Sequence, residues 1–430
     1  MNIRRARAAA ALGVATVLAV TACSTRADDS GGGGGGGGGD SGGSDADVAT
    51  DFGVTDDTIN LGILTDLTGP FASLSTGIVQ GNQLVYDTIN EEGGICGRQI
   101  ELDIQNHGYD VQQAVQLYNQ VAPNVLGITQ LIGSPMTTAL LDQITSDEMV
   151  TAPASWASTL LENEYILMGG TTYDLEMING IQWMVDEGMI AEGDTVGHIY
   201  IEGEYGANGL LGAQYASGEL GLNLVEVQVK STDQDLSGAI SSLGSQGVTA
   251  IFLTTSPAQT ASAVGSAAAG GLTIPFLGSN PVFAPALLDS PAAPALAASL
   301  FVETSTTPYA SDTPEAQDLR DRLVEKFPDA SPNGGQFYGF GVATIYASVL
   351  ERACENGDMT RAGLQTALTE TDNGDTGGII APLDYSEPGS SPSREIFIAQ
   401  PDPAAEGGLT LVEELFTTDL AQGYVGPSEG

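Results

Sequence analysis

The sequence predicts an α/β protein with two doubly wound parallel-sheet lobes. Three observations carry this. Short apolar runs alternate with longer helical stretches, the alternation passes through two successive sets, and 430 residues exceed what one hydrophobic core usually serves. Ile59 to Leu64 (INLGIL) reads as a buried strand and Ser75 to Glu91 as a helix. Gln99 to Asn106 alternates like a strand, and Val111 to Val121 is helical. Val125 to Ile132, Pro135 to Ser146 and Val150 to Ala154 continue as strand, helix, strand. The second set opens with helix Leu175 to Glu187, strand Thr195 to Ile201, helix Gly206 to Glu219 and strand Leu222 to Val229. Helix Asp235 to Ser245, strand Thr249 to Leu253, helix Pro257 to Ala268 and strand Pro275 to Leu277 complete it. No repeat of fixed period relates the two sets.

The N-terminus reads as an address label. Arg4, Arg5 and Arg7 precede an uncharged apolar run from Ala8 to Val20, whose 13 residues fall short of the roughly 20 needed to span a bilayer. The run ends in Val20-Thr21-Ala22-Cys23, which resembles a bacterial lipobox, so residues 1–22 are expected to be a signal peptide and Cys23 a lipidated N-terminus. Ser24 to Thr50, with nine consecutive glycines from Gly31 to Gly39, cannot bury a core and suits a flexible tether, with an r.m.s. reach of roughly 25–30 Å. Residues 23–55 form this lipidated linker, and the folded part is expected outside the cytoplasmic membrane.

Charge excludes several function classes. Asp+Glu 55 against Lys+Arg 12 gives a formal net charge of -43, a surface that repels phosphate backbones and anionic headgroups. Nucleic acid is therefore not an expected partner. Cys 3 and His 2 are too few for a structural zinc site. Two motif matches fail on context. Gly39-Asp40-Ser41-Gly42-Gly43 spells a serine-protease nucleophile motif but lies in the glycine tether, ahead of both histidines. Lys230-Ser231 has Val229 where a phosphate loop demands glycine. No cofactor, metal or enzymatic activity is expected.

In doubly wound sheets ligands sit beyond the C-terminal strand ends, where helix N-termini offer unpaired N–H groups. The informative loops are Thr65 to Ala72, Gly133 to Thr138, Ala154 to Ser158, Glu202 to Tyr205, Thr254 to Pro257 and Gly278 to Pro281. They are rich in Gly, Ser and Thr and contain no Lys or Arg, which favours a zwitterion or neutral molecule over a phosphate.

The run LGILTDLTGPFASLSTGIVQGNQLVYDTINEEGGICGRQIEL resembles the opening of the bacterial branched-chain amino-acid-binding proteins, type I periplasmic binding proteins that serve ABC importers. LIGSPMTTALL, EYGANG, FLGSN and FYGFGVATIYASVLERA follow in that family's order, covering about Asp56 to Tyr385. The resemblance implies two α/β lobes joined by a three-strand hinge, closing over a small polar solute such as an amino acid or related carboxylate or amide. Lobe one would be 56–174 plus 306–379, and lobe two 175–305 plus 380–430. An ABC permease is the implied partner and a monomer the implied state. The alternative is a receptor of the same fold docking on a membrane signalling partner.

By the same resemblance the anion-binding serine falls on Ser134, which could equally cap the helix it opens. The loop usually reading Pro-Ala-Ala/Ser-Thr is Pro153-Ala154-Ser155-Trp156 here, so an indole replaces threonine; Trp156 is either cleft wall or core. Tyr205 falls on the aromatic residue that covers the ligand, or packs on its own helix. The departure is Gly278-Ser279-Asn280, where amino-acid binders carry an acid for the ligand ammonium and Asn280 supplies no charge. Either Glu202 or Glu204 substitutes, or the ligand is not an α-amino acid. Asp66 and Thr68 are weaker candidates, since a turn before Gly69-Pro70 explains both. With Cys23 consumed by lipid, Cys96 and Cys354 are left as an even pair in an oxidising compartment, and the family architecture returns both to one lobe. A disulfide is expected, against two separately buried thiols.

Overall fold

Burial on both faces explains why the strands read as apolar runs. In the computed structural model, which describes residues 48–371 and 375–429, every residue of the strand Gly127–Ile132 is buried, as a parallel sheet covered by helices on each side requires. The chain begins with β1 (Ala49–Thr50), β2 (Thr58–Thr65), α1 (Ala72–Glu91), β3 (Gln99–Asn106) and α2 (Val111–Val121). It continues with β4 (Gly127–Ile132), α3 (Ser134–Ser146) and β5 (Thr151–Ala154). Strands β3-β2-β4-β5 form a wholly parallel sheet. The signal segment, Cys23 and the glycine tether lie outside the described residues.

The second part runs through α4 (Tyr173–Asp186), β6 (Thr195–Ile201), α5 (Glu204–Glu219), β7 (Asn223–Val229) and α6 (Ser237–Ser245). Then come β8 (Ala250–Thr254), α7 (Pro257–Ala269), β9 (Phe276–Gly278), α8 (Ala293–Ser299) and β10 (Leu300–Thr304). Next α9 (Pro314–Lys326), α10 (Gly334–Glu355), β11 (Asp358–Met359) and α11 (Arg361–Thr369) return to the first sheet, whose core takes in Leu323, Phe337, Ile345 and Leu364. The chain ends with β12 (Ile396–Pro401), β13 (Leu409–Phe416) and α12 (Asp419–Gly423). The second sheet has the order β13-β12-β10-β9-β8-β6-β7, parallel from β7 to β10, with β12 and β13 added antiparallel at one edge. One apolar cluster lies on each of its faces.

Local chemistry fixes the elements that reach the space between the sheets. Asp66 is fully buried, and its carboxylate accepts the N–H groups of Thr68, Gly69 and Phe71, pinning the loop that leads into α1. Asn333 caps α10 by accepting Gly335 N–H at 2.9 Å, while Gln336 returns a bond to Asn333 N–H. Helices α1 and α10 pack backbone to backbone: a Cβ on Gly339 would lie 2.1 Å from the Ile78 carbonyl oxygen. Cys96, in the turn after α1, is bonded to Cys354, in the last turn of α10, with Cα atoms 5.9 Å apart across 258 positions. The expected disulfide is therefore present and lies beside the first sheet alone.

Three passages connect the sheets and lie side by side. Thr171 N–H donates to Ser305 Oγ at 3.1 Å. Thr307 N–H donates to Ile379 O and Ala381 N–H to Ser305 O, at 3.0 and 3.1 Å. Bending at such a narrow bundle would change few contacts elsewhere.

Candidate functional site

Strand ends of both sheets point into one cavity between them, enclosing about 960 Å³ of non-protein space with its open mouth included. On the first-sheet side, Gly133 and Ser134 mark the end of β4 and the start of α3. Gly133 has φ 101°, and a Cβ there would meet the Tyr109 ring at 2.8 Å, so glycine lets the aromatic ring close over the helix start. Ser155 Oγ donates to Ser134 Oγ at 2.6 Å, which leaves the Ser134 hydroxyl proton free to be donated elsewhere. Ser134 thus combines a hydroxyl with the N–H groups of a helix start, a geometry suited to an oxyanion.

An aromatic wall follows. Trp156 packs edge-on against Tyr338 and Tyr173, with centroids 4.9 and 5.6 Å apart, and Tyr173 packs on Tyr205 at 4.7 Å. All four line the cavity. Burial raises the phenols of Tyr173, Tyr205 and Tyr338, so they stay protonated. Tyr205 Oη shares a 2.7 Å hydrogen bond with Ser279 Oγ, tying α5 to the loop after β9. The rest of the wall is largely apolar and includes Phe71, Ile132, Phe283, Val302, Tyr309 and Leu409. No Asp, Glu, Lys, Arg or His lines it among the described residues.

Of the residues singled out in the sequence, Ser134, Ala154, Trp156, Tyr205 and Asn280 meet on this wall, and Ser155 stands directly behind Ser134. Trp156 is at once wall and core, being 5% exposed. Two expectations are corrected. Glu202 is exposed at the end of β6, and Thr68 is exposed and bonded to Asn106; neither faces the cavity. Solvation explains both, since a carboxylate and a turn hydroxyl stay in water unless a partner compensates them. Glu204 is also outside the wall, 3.5 Å from Thr159 Oγ1.

The acid closest to the Asn280 loop is one the sequence reading missed. Glu176 of α4 is fully buried, and its Oε2 accepts Asn280 N–H at 3.3 Å. Burial, and then the neighbouring Glu303 on β10, raise its pKa well above the ordinary 4.5. Burial does the same to Glu303. The Oε1 of Glu176 and both carboxyl oxygens of Glu303 have no partner among the described residues. Both effects favour the neutral form of Glu176, so a charge there would have to be formed against burial and beside Glu303.

Comparison with known proteins agrees with this architecture. The profile of the family described as "Periplasmic binding protein" matches residues 58–408. A fatty acid ABC transporter substrate-binding protein from Thermomonospora curvata is 42% identical and superposes with a TM-score of 0.86, over 88% of this chain and 97% of that one. A branched-chain amino acid ABC transporter protein from Thermus thermophilus, solved with bound valine, has a TM-score of 0.75 at 18% identity over 86% and 99% of the two chains, a likeness of fold. A Leu/Ile/Val-binding protein of Rhizobium johnstonii is 32% identical over 82 residues, spanning 19% of this chain and 22% of its own length. With two sheets, a hinge of three passages and a cavity at the strand ends, the chain belongs to the periplasmic binding protein family.

Proposed function

We propose that this protein is the solute-capturing component of an ABC importer, and that its solute is an apolar monocarboxylic acid without an α-ammonium group, of the fatty-acid class. The observation that carries this reading is the cavity wall, which is aromatic and aliphatic and bears no charged side chain. A buried ammonium without a counter-charge costs several kcal/mol, and Glu176 could supply one only by ionising beside Glu303. A carboxylate, by contrast, has the Ser134 hydroxyl and the start of α3. The relative that is 42% identical is a fatty acid ABC transporter substrate-binding protein, which supports the same class. Trp156, Tyr205 and Ala154 would form the apolar wall and Asn280 a neutral boundary.

Hinge closure would bring the lobe of 56–174 and 306–379 onto that of 175–305 and 380–430, and the closed form would dock on a permease. Lipidation at Cys23 and the glycine tether would hold the protein at the outer face of the membrane; Cys23→Ser should then move it to the soluble fraction. The ligand class is tested by native mass spectrometry of gently purified protein. A co-purified species with the mass of a monocarboxylic acid is expected, and an α-amino acid in its place would reject the reading.

A further inference from the structure

We infer that the wall formed by Phe283, Tyr309 and Leu409, backed by the turn between β12 and β13, is a tail subsite that sets the length of acyl chain the protein accepts. This rests on the reading of the ligand as an apolar carboxylate and adds where its chain ends. Ser134 and Asn280 line the cavity at the ends of β4 and β9, with Ser155 bonded behind Ser134 and Ser279 bonded to Tyr205. The other wall comes from the loop after β9, the passage after β10 and the C-terminal hairpin, and its large side chains are hydrocarbon or aromatic. The polar side chains on that side, Thr304, Thr306, Thr307 and Tyr309, carry hydroxyls and no charge, and Thr304 Oγ1 is bonded within its own passage to Thr306 O at 3.0 Å.

That wall is also stiff. Gly407, with φ 76°, lies so close beneath Tyr309 that a Cβ would come within 2.6 Å of the Tyr309 Cβ. A Cβ on Gly408, the next residue, would lie 3.1 Å from the Phe283 Cζ. Tyr309 packs on Phe337 with centroids 4.9 Å apart, and Tyr309 and Phe283 are 2% and 4% exposed. Two buried rings wedged against a glycine turn cannot move aside as a chain lengthens, because close-packed interiors yield little. Leu409, half-buried at the start of β13, sits beside them. A chain growing from Ser134 gains contact until it reaches this wall and then must strain it or leave the cavity. A second carboxylate at the far end would meet no cationic side chain, since none lines the cavity among the described residues.

The test is calorimetric titration of the folded protein with straight-chain saturated monocarboxylates from butyrate to palmitate. Affinity should rise about fourfold per methylene, pass a maximum, and fall. Phe283→Ala should move the maximum to longer acids and Leu409→Trp to shorter ones, and the dicarboxylate of optimal length should bind about a hundredfold more weakly. Leu409→Trp, at a half-buried position, keeps the test decisive if Phe283→Ala does not fold. A maximum that neither variant moves, or equal binding of the dicarboxylate, overturns the tail subsite and leaves the ligand class standing. Absence of binding by every acid overturns the ligand class itself.

Discussion

Around the four-stranded sheet, the buried Arg361 and Asp66 are each held by several hydrogen bonds, whereas beside the seven-stranded sheet the buried carboxyls of Glu176 and Glu303 share a single one among the described residues. Arg361, 4% exposed, donates to the carbonyl oxygens of Ala122, Val125 and Asp147, and Asp66 accepts three N–H groups. A disulfide staples the same region. On the other side, Glu176, Glu303 and His198 are fully buried, and each has at least one polar atom without a partner among the described residues. His198 Nε2 shares a hydrogen bond with Thr254 Oγ1, and burial lowers its pKa to about 3. One lobe is thus built as a fixed platform that presents Ser134. The other carries uncompensated polar groups close to the Asn280 loop, and its stability should follow pH.

The largest effect that sharpens this contrast is removal of the staple. Cys96→Ser with Cys354→Ser should destabilise the protein by about 4 kcal/mol, a figure for a long closed loop that native strain can reduce. Denaturant melts at equal pH check it, and the loss should be nearly independent of pH, because neither side chain then titrates near neutrality.

Glu303→Gln should act oppositely, and only at higher pH. The folded pKa of Glu303 is raised above 4.5, so between the two values the folded state holds a proton that the unfolded state releases. Stability therefore falls as pH rises through that window, by about 1.4 kcal/mol per pH unit. Glutamine cannot titrate, so the variant should exceed the wild type at pH 7.5 and match it below pH 4.5. His198 has the reverse sign: the unfolded side chain takes up a proton near pH 6.5 and the folded one only near 3, so acidification below 6.5 erodes stability. Between 4.5 and 6.5 the two effects oppose each other, and Glu303→Gln, which leaves Glu176 as the remaining raised carboxyl, should shift the balance toward the histidine slope there.

The platform itself is probed by Ser134→Ala, the smallest expected effect. Loss of one hydroxyl donor to a carboxylate should weaken monocarboxylate binding about tenfold, roughly 1.4 kcal/mol, and, because buried Ser155 loses its acceptor, lower the stability of the empty protein by about 1 kcal/mol. A change in stability with unchanged affinity would make Ser134 a structural residue only.

The first half of the chain was more legible than the second for physical reasons. The bounds of β3, α2 and β6 agree with the sequence reading to the residue, because their apolar periods are undisturbed. Strands β10, β12 and β13 and helices α9 and α11 have no comparably clear local pattern in the sequence. Strands β12 and β13 pair antiparallel at a sheet edge reached from β10 across some hundred residues, a tertiary event with no local signature. The site divided likewise. Ser134, Ala154, Trp156, Tyr205 and Asn280 follow strand ends and could be placed from topology. Phe283, Tyr309 and Leu409 arrive from loops and a hairpin, outside the strand ends that topology picks out. Glu303 had a signal that went unused, an acid inside the apolar run LFVET.

The central claim is that the cavity takes an apolar acid and excludes an ammonium group. Isothermal titration of the same ligand-stripped preparation with decanoate and with leucine tests it most directly. The account predicts saturable binding of decanoate and none of leucine at millimolar concentration. Tight leucine binding, unaffected by Glu176→Gln, would contradict it.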